Sequence, residues 1–412
     1  MSGYEWIRGP FGPDAIRGAT IRGQRTALVV AHHLTAGTRL ADVLPLLESD
    51  RRIQVVYSAA PASPFSRAAT EFLERLGGLV LPWHQATQVK FDLAIAASHG
   101  MLENLHAPIL TMPHGAGPSK LLVRQPGLGP PAGRPITGVI RERIIVNGRV
   151  VPSTIIVGHE DHRSVLAREC PEALPVVVVA GDPCFDRLMS SVHLRNVYRH
   201  ALGVGPDQRL VFVSSTWSPG SLLGQHPDLL LRIAAELPRE KYCVVAALHP
   251  NIWGWSGRRQ VVSWHADCMR LGVRLLPPEE GWRAALIAAD RVIGDHGSVT
   301  FYAAAMGVPV LLGAFPEDDV VVESHVARLG AVAPRLDWNE SLRAQVDDAI
   351  YAYTPDNYAA FRGDASSRPG MSASILRREM YRLMRLALPE HPVELGPVPP
   401  PYTIQDGGTL AA

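Results

Sequence analysis

Residues 290–313 of the chain are DRVIGDHGSVTFYAAAMGVPVLLG, and this stretch sets the predicted fold. The pattern predicts a buried strand at 291–293, a polar turn at 295–298, a helix over 299–306 and a second strand at 308–312. Gly307 ends the helix, and Pro309 prevents its continuation. A helix that begins with small polar residues presents N–H groups and a positive dipole end, which suits a phosphate. Helix capping by Asp295 and Ser298 explains the same residues, so the rest of the chain must decide between the two interpretations.

The composition is that of a globular protein of more than one domain. Its 412 residues suffice for two domains at about 150 residues each, and 47% of them are hydrophobic. Lys and Arg total 40 against 39 Asp and Glu, so no net field attracts nucleic acid. The sequence shows neither an apolar run of about 20 residues nor an N-terminal signal core, so we expect a cytoplasmic protein. The four cysteines are too scattered for metal-ligand or redox spacing.

Two runs of alternating strands and helices follow one another along the chain. The first run has predicted strands at 26–31, 53–58, 79–83, 91–97, 109–112, 154–157 and 175–179, with helices at 66–76, 161–170 and 188–200. The second has strands at 210–214, 243–248, 273–276, 291–293, 308–312 and 331–333, with helices at 228–236, 282–289, 322–329, 342–353 and 372–388. Continuous Val, Ile, Leu and Ala strands that alternate with helices indicate parallel sheets covered on both faces. We therefore predict an α/β protein of two doubly wound, Rossmann-type domains facing one another across a cleft.

The domain prediction follows from shifts in composition. We predict a Gly-rich lead-in at 1–24, an N-terminal domain at 25–204 with a Gly/Pro-rich insertion at 115–152, a C-terminal domain at 205–371, a helix at 372–389 that packs back, and a disordered tail at 390–412. The insertion contains Asn147-Gly148, which is a strong signal for a two-residue hairpin.

Several common catalytic motifs are absent from the sequence. It has no G-x-x-x-x-G-K-[ST] loop, no G-x-G-x-x-G after the first strand and no G-x-S-x-G elbow, which disfavours a P-loop nucleotidase, a dehydrogenase and an α/β-hydrolase. Residues 159–162, HEDH, could hold a metal ion. Capping of the following helix explains them better, because Glu160 and Asp161 suit a first helical turn.

Polar side chains stand instead where predicted strands end, which is where ligands gather in parallel sheets. In the first run these are His32, His33, His99 and His114, and in the second run they are Thr216, Trp217, His249 and residues 295–298. An imidazole can accept a proton from a hydroxyl, because its pKa lies near neutrality. Each histidine taken alone is better explained as part of a turn, and Trp217 could be a stacking surface or only a loop anchor.

Taken in order, these motifs resemble those of the CDP-glycerol glycerophosphotransferase group, which has the GT-B fold of two Rossmann-like domains and is related to nucleotide-sugar 2-epimerases. The group carries H-G-T-P-x-K, G-x-P-x-x-D-x-L, T-W, H-P and D-Y-S-S. The counterparts here are residues 114–120 (HGAGPSK), 181–188 (GDPCFDRL), 216–217 (TW), 249–250 (HP) and 295–298 (DHGS). The resemblance covers roughly residues 90–315. Each motif is short, but their order and their places at strand ends support one another.

The resemblance implies roles for individual residues. It makes His114 the general base and places His249, Ser298 and the backbone at Gly297 on the donor diphosphate, with no metal or other cofactor. It adds Asp295, His296, Thr216, Trp217 and Glu323 to the donor side, and His32, His33, His99, Lys120 and Asp186 to the acceptor side. The acidic residues 317–319 are more simply a solvated loop.

The expected function is transfer of a glycosyl or polyol-phosphate group from a nucleotide-linked donor to a hydroxyl acceptor. The sequence departs from the resemblance at His296 and Gly297, and between His114 and Lys120, so the donor and the acceptor stay open. One alternative is a nucleotide-sugar epimerase, for which Asp182 and Asp186 form the obvious carboxylate pair. Another is a non-catalytic protein that binds a nucleotide or a partner.

Partners other than the substrates are less defined by the sequence. A homodimer is left open. Helix 372–388 carries Arg377, Arg378, Arg382 and Arg385, which would allow peripheral contact with the inner face of a membrane. Core packing with a solvated basic face explains the same helix.

Overall fold

The structure, a computed structural model, describes residues 6–12, 15, 20–21, 23–122, 133–351 and 354–404. It forms two compact units. The N-terminal unit comprises Met1–Pro118, Pro135–Asp186 and Ser366–Gly396, and the C-terminal unit comprises Ser119–Arg134, Arg187–Ala365 and Pro397–Ala412. The remaining parts of the predicted lead-in, insertion and tail lie outside the described residues.

Fourteen strands are present in the described chain, and they run in the order expected for an α/β protein. They are β1 Arg25–Ala31, β2 Ile53–Ala59, β3 Val80–Leu81, β4 Leu93–Ala96, β5 Ile109–Thr111, β6 Ile145–Val146, β7 Arg149–Val150, β8 Thr154–Val157, β9 Val177–Val179, β10 Arg209–Ser215, β11 Tyr242–Leu248, β12 Arg274–Leu275, β13 Arg291–Gly294 and β14 Val310–Leu312. Strands β6 and β7 pair antiparallel, as the hairpin prediction required.

Nineteen α-helices alternate with these strands in the same part of the chain. They are α1 Leu34–Ala41, α2 Pro45–Glu48, α3 Ser66–Arg75, α4 Trp83–Ala86, α5 Arg141–Ile144, α6 Glu160–Glu169, α7 Pro183–Ser190, α8 Arg195–Ala201, α9 Leu222–Gln225, α10 Leu229–Glu236, α11 Pro250–Ser256, α12 Arg258–Trp264, α13 Ala266–Arg270, α14 Trp282–Ala288, α15 Ser298–Ala305, α16 His325–Val332, α17 Leu342–Tyr351, α18 Pro355–Ala365 and α19 Ser372–Leu383.

The N-terminal unit is built on a seven-stranded parallel sheet of order β3-β2-β1-β4-β5-β8-β9. Both of its faces are buried. Ala27 and Val29 of β1 pack into one core, while Leu28 and Val30 pack into another on the opposite face. Because successive strand residues point to opposite faces, both sets must be apolar, which explains the continuous apolar strands in the sequence.

Helix α19 belongs to the N-terminal unit and closes its first core. Its side chains Leu376, Met380 and Tyr381 are buried there. Its basic face is only partly solvated. Arg377 is buried and donates to the His391 carbonyl oxygen at 2.7 Å, which leaves fewer basic side chains for a membrane than the sequence indicated.

The C-terminal unit has a five-stranded parallel sheet of order β12-β11-β10-β13-β14. The stretch quoted first lies at one side of this sheet: β13, a turn, α15 and β14 occupy residues 291–312 in the predicted order. Helix α15 buries six of its eight residues, and five of these six are alanine, phenylalanine or tyrosine. The doubly wound α/β prediction is confirmed for both units.

Three local predictions were wrong. Residues 331–333 were predicted as a strand but lie at the end of α16, since Gly330 and its Ala and Val neighbours fit that helix. Residues 79–83 form a two-residue strand followed by α4, which begins after Pro82. The helix predicted over 188–200 is interrupted by a 3₁₀ turn at Val192–Leu194 between α7 and α8.

The predicted boundary at residue 204 and the disordered tail also need correction. The chain passes into the C-terminal unit at Arg187, because Arg195 on α8 donates to the Ile287 and Ala289 carbonyl oxygens at 2.6 and 2.7 Å. In the tail, Val398 is buried and its carbonyl oxygen accepts the Tyr198 hydroxyl at 2.5 Å. No helix in the described ranges is long and apolar enough to cross a membrane.

Candidate active site

Asp295 organises the turn that begins helix α15. It follows β13 and is only 1% exposed. Its Oδ2 accepts hydrogen bonds from the Thr216 backbone N (2.8 Å), the Thr216 hydroxyl (2.7 Å) and the Leu222 backbone N (3.0 Å). Its Oδ1 accepts the Gly297 N–H at 3.0 Å. Since these four donors surround the carboxylate, Asp295 positions the site rather than contacting a ligand.

Position 297 requires glycine because little space is left for a side chain, and not because of its backbone conformation. It is the N-cap of α15 with φ −80° and ψ 158°, a conformation open to any residue. A Cβ at this position would lie 2.7 Å from Thr216 Cγ2 and 3.1 Å from Asp295 Oδ1. The helix begins at Ser298, and the N–H groups of a first helical turn have no acceptor within the helix. The turn therefore offers an anion a close approach to backbone donors.

His296 and Lys120 lie together beside this turn. His296 is 7% exposed, and its Nδ1 is buried without a hydrogen-bond partner in the described part of the chain. Burial lowers the pKa of His296 to about 4, and the positive charge of Lys120 acts in the same direction. Burial also lowers the pKa of Lys120, while the Asp295 carboxylate opposes that shift. The sequence analysis assigned Lys120 to the acceptor side, and the structure places it beside Asp295 and His296.

Lys120 reaches this turn through a strand-like segment. Residues 119–121 pair with residues 319–321 as a short antiparallel ladder whose two N–H···O distances are 2.9 and 3.0 Å. Arg134 forms a 2.7 Å ion pair with Asp319 and so stabilises this pairing. The predicted insertion is thus divided between the two units, and its residues 123–132 lie outside the described chain.

Trp217 and His249 lie at the ends of β10 and β11. The His249 Nδ1 accepts the Asn251 N–H at 3.1 Å and caps α11. In a neutral ring the proton is then on Nε2, which makes that atom a hydrogen-bond donor. The His249 ring lies 6.4 Å from the ring of Trp217, whose side chain is among the exposed aromatic groups. An exposed indole beside an N–H donor could receive a base and a phosphate.

Glu323 and the acidic loop before it lie on the surface. Glu323 is exposed and directly precedes Ser324, whose hydroxyl oxygen accepts the Ala327 N–H at 3.1 Å and caps α16. The loop at Glu317–Asp319 is a 3₁₀ turn. Its Glu317 is exposed and forms a 2.9 Å ion pair with Arg335.

In the N-terminal unit, His114 has the tautomer that a general base needs. Its Nδ1 lies 3.0 Å from the Ala97 carbonyl oxygen, which can only accept. The proton is therefore on Nδ1, and Nε2 carries the basic lone pair. The His33 ring stands edge-on to it at 4.8 Å, with its own Nδ1 accepting the Ala36 N–H at 3.2 Å to cap α1. The two imidazoles come from the ends of β5 and β1.

His32 and His99 lie in the same region. The His32 Nε2 lies 2.9 Å from the Gly100 carbonyl oxygen, next to His99. Burial lowers the pKa of both side chains, that of His99 to about 4, and the charge of Arg143 contributes to both shifts. His114 contributes to the shift of His99 as well. The structure thus brings the predicted histidines together. The sequence offered no signal for Arg143, which lies on the short helix α5.

Asp186 binds the start of helix α19. Its carboxylate accepts the Gly370 N–H (2.8 Å), the Ser372 N–H (3.2 Å) and the Ser372 hydroxyl (2.5 Å) at the start of α19. Asp182 is 5% exposed and forms a buried 3.1 Å ion pair with Arg39. Both carboxylates therefore stabilise the unit, and the assignment of Asp186 to the acceptor side gives way to a capping role.

Residues 159–162 also have a local role. The His159 Nδ1 accepts the Asp161 N–H at 3.1 Å as the N-cap of α6, so the capping prediction is confirmed. The His162 ring packs against Gly117, where φ is +120° and an added Cβ would lie 2.2 Å from the imidazole. Within the described ranges, no group of three or more His, Cys, Asp or Glu side chains is arranged to hold a metal ion.

Comparison with known proteins supports the fold. No protein-family model matches the chain, and no curated protein matches it in sequence. Solved structures do match the chain in fold. A variant of the wall teichoic acid polymerase TagF soaked with CDPG is 12% identical, with a TM-score of 0.59 over 89% of each chain. The chain has a GT-B-like fold.

A second solved structure extends this likeness. The UDP-GlcNAc 2-epimerase from Neisseria meningitidis, bound to UDP-GlcNAc, is 13% identical with a TM-score of 0.50 over 87% of this chain and all of the other. Both neighbours come from the groups that the sequence resemblance indicated. At these identities the likeness establishes the fold, and the chemistry must be argued from the site.

Proposed function

We propose that this protein is a GT-B transferase that moves a glycosyl or polyol-phosphate group from a nucleotide-activated donor to a hydroxyl acceptor. The observation that carries the proposal is the turn at residues 295–298, held by Asp295, with Lys120 beside it and the first turn of α15 behind it. The structural neighbours support it, because they include proteins studied with CDPG and with UDP-GlcNAc.

The donor phosphates would lie against the turn at residues 295–298. Backbone N–H groups of α15, the Ser298 hydroxyl, the His249 Nε2–H and the Lys120 ammonium are all donors that bind phosphate oxygens. Together they would offset the negative charge that develops on the departing nucleotide, so the proposal needs no metal ion. Trp217 would offer its exposed face to the base.

The acceptor hydroxyl would be deprotonated by His114. Its Nε2 takes the proton as the hydroxyl oxygen forms a bond to the transferred carbon or phosphorus. The bond from that atom to the bridging oxygen of the donor breaks, and the nucleotide leaves with the electron pair. The Ala97 carbonyl oxygen accepts a hydrogen bond from Nδ1–H, which keeps the basic lone pair on Nε2 and stabilises the imidazolium that forms.

The epimerase alternative is weakened by the surroundings of its carboxylates. Asp182 is bound by Arg39, and Asp186 is bound by the start of α19. Neither could exchange a proton with a substrate without losing those bonds. A non-catalytic binding protein would share the donor site, so it must be separated by experiment.

Nucleotide binding is tested by thermal unfolding with UDP, CDP and CMP. A nucleotide at 100 times its Kd stabilises the folded state by about 2.7 kcal/mol. We expect Ser298→Ala and His249→Ala to remove most of this gain. Ser341→Ala is the control, because Ser341 also begins a helix of the C-terminal unit but lies outside the site. An equal gain in all variants would refute the donor site.

Turnover is tested by His114→Gln. We expect it to keep nucleotide binding and to lower the transfer rate by about 10²- to 10⁴-fold, the usual contribution of a general base. Activity of the wild type should survive EDTA treatment. Nucleotide binding without turnover over a panel of donors and acceptors would favour the non-catalytic alternative, and turnover without any acceptor would favour the epimerase.

A further inference from the structure

Two short segments of the C-terminal unit pair with one another and direct a lysine inward. Residues 119–122 form the lysine arm, and its first three residues run antiparallel to residues 319–321. Lys120 lies directly opposite Val320 in this pairing. Side chains of directly opposite residues point to the same face. Val320 is 4% exposed, so this face is turned into the unit and the half-buried Lys120 is directed inward with it.

Contacts of neighbouring residues place the lysine arm next to the turn at the start of α15. A Cβ built on Gly220 would lie 3.6 Å from Asp319 Oδ2, so the loop before α9 touches the segment that pairs with the arm. Two residues further on, the Leu222 N–H donates to Asp295 Oδ2 at 3.0 Å. Burial lowers the pKa of Lys120, and the nearby Asp295 carboxylate opposes that shift. The face that carries Lys120 therefore lies beside the turn that Asp295 holds.

The turn beside Lys120 offers several groups to an anion. The first N–H groups of α15 have no acceptor within the helix. His296 is 7% exposed, and its Nδ1 is buried without a hydrogen-bond partner in the described chain. An ammonium beside such groups binds phosphate oxygens through charge-assisted hydrogen bonds. How well Lys120 does so depends on how firmly the lysine arm is held in its paired position.

Arg134 holds the lysine arm because its guanidinium bonds to both paired segments. On the side of the arm, its Nε donates to the Leu122 carbonyl oxygen at 2.8 Å. On the other side, its Nη1 donates to the Asp318 carbonyl oxygen at 2.8 Å, and its Nη2 forms a 2.7 Å ion pair with Asp319. Two short paired strands are by themselves only marginally stable in water. A planar guanidinium with donors on both sides is suited to keep them together.

We propose that Arg134 is a positioning residue: it keeps the lysine arm paired with residues 318–321, and so holds the Lys120 ammonium where it binds the diphosphate of the donor. Arg134 itself does not contact the diphosphate. That the diphosphate belongs to a donor rests on the proposed function, whereas the anion site does not depend on it. Because a diphosphate binds Lys120 only when the arm is paired, the bound anion stabilises the pairing in return.

Isothermal titration with inorganic pyrophosphate tests the site without a nucleotide and without turnover. Lys120→Met should weaken pyrophosphate binding about 10- to 100-fold, because charge-assisted hydrogen bonds are lost. Arg134→Gln should weaken it about three- to tenfold, since the apparent affinity falls with the fraction of molecules whose arm is paired. The double variant should bind pyrophosphate as Lys120→Met does, because Arg134 acts through Lys120.

Arg335 provides a matched control. It forms a 2.9 Å ion pair with Glu317, which lies in the same 3₁₀ turn as Asp319, and its other hydrogen bond goes to the Gly330 carbonyl oxygen. Arg335→Gln therefore removes the same charge from the same turn without releasing the lysine arm. It should leave pyrophosphate binding unchanged, and a loss equal to that of Arg134→Gln would point to general electrostatics and overturn the proposal.

Amide hydrogen exchange gives a readout that a merely structural role of Arg134 would not move. The Leu121 N–H and the Val321 N–H form the two hydrogen bonds of the pairing. Arg134→Gln should speed the exchange of both amides and change urea unfolding little, because the opening is local. Pyrophosphate should slow their exchange in the wild type. It should not do so in Lys120→Met, in which the arm is still paired but no longer binds the anion.

Four results would each overturn the proposal. They are no binding of pyrophosphate to the wild type, equal affinity of the wild type and Arg134→Gln, losses that add in the double variant, and amide exchange that pyrophosphate does not change. The transferase proposal is judged instead by nucleotide binding and turnover. Nucleotide binding that ignores Arg134 would refute only the positioning role, and pyrophosphate binding without any nucleotide binding would refute only the transferase.

Discussion

Replacing Gly297 with alanine tests whether the donor turn is as tightly packed as its geometry indicates. The new Cβ would lie 2.7 Å from Thr216 Cγ2, well inside the roughly 3.5–4.0 Å at which carbon atoms attract. Overpacking of this kind costs about 1–3 kcal/mol. Alanine also lowers the entropy of the unfolded chain, which returns about 0.4–1 kcal/mol because φ is −80° here. We expect a net loss of about 1–2 kcal/mol.

The assay is a double-mutant cycle with Thr216→Ser, followed by thermal and urea unfolding. Serine keeps the hydroxyl that donates to Asp295 Oδ2 and lacks the methyl group that would clash. In that background Gly297→Ala should cost little, which gives a coupling of about 1–2 kcal/mol. Gly363→Ala is the control. It lies within α18, a Cβ there would meet nothing within 4 Å, and it should stabilise the protein by about 0.5–1 kcal/mol.

Two results would refute this reasoning. If Gly297→Ala is as stable as the wild type, the turn relaxes easily, and close packing does not explain why glycine stands there. If Thr216→Ser does not relieve the cost, the strain arises elsewhere. In the expected outcome, Gly297→Ala also weakens nucleotide binding, because Thr216 and Asp295 hold the start of α15 through the bonds that the clash would disturb.

Two further predictions concern stability. Arg291 is fully buried, none of its guanidinium nitrogens has a partner in the described chain, and burial lowers its pKa to about 10. Arg291→Met should raise the free energy of unfolding by about 1–3 kcal/mol. The gain should be equal at pH 6 and pH 9, because the guanidinium is charged in the folded and the unfolded protein over that range. A lower free energy of unfolding in urea would contradict this prediction. Asp186→Ala should lower the stability by about 1–2 kcal/mol, since the Gly370 and Ser372 N–H groups at the start of α19 lose their acceptor, and should leave turnover per folded molecule unchanged. Lost turnover at full stability would instead favour the epimerase alternative.

The parallel sheets and the motif positions were predictable because they depend on local sequence. Continuous apolar strands identify a sheet buried on both faces, and β13, α15 and β14 appear where Gly307 and Pro309 place the breaks. Strand-end residues are brought together by any parallel sheet, which is why His32, His99 and His114 lie in one region. These features need no knowledge of distant contacts.

The roles that were not predictable depend on contacts between distant parts of the chain. Lys120 follows His114 by six residues, yet its place is set by pairing of its segment with residues 319–321. Asp186 belongs to a motif that resembles a functional one, but its partners lie 184 and 186 residues further along. A sequence pattern does not reveal such partners, because it records the polar residue and not what binds it.

The departures at His296 and Gly297 do not by themselves argue for a lost activity. The resemblance places a serine where Gly297 stands, so one hydroxyl donor is absent. Thr216 fills the space that this side chain would take, and its hydroxyl binds Asp295. Lys120, which the resembled group also carries in its first motif, lies beside the same turn. In the proposed function, the altered turn therefore still offers a phosphate the backbone N–H groups at the start of α15 and the Lys120 side chain, although the serine hydroxyl is absent.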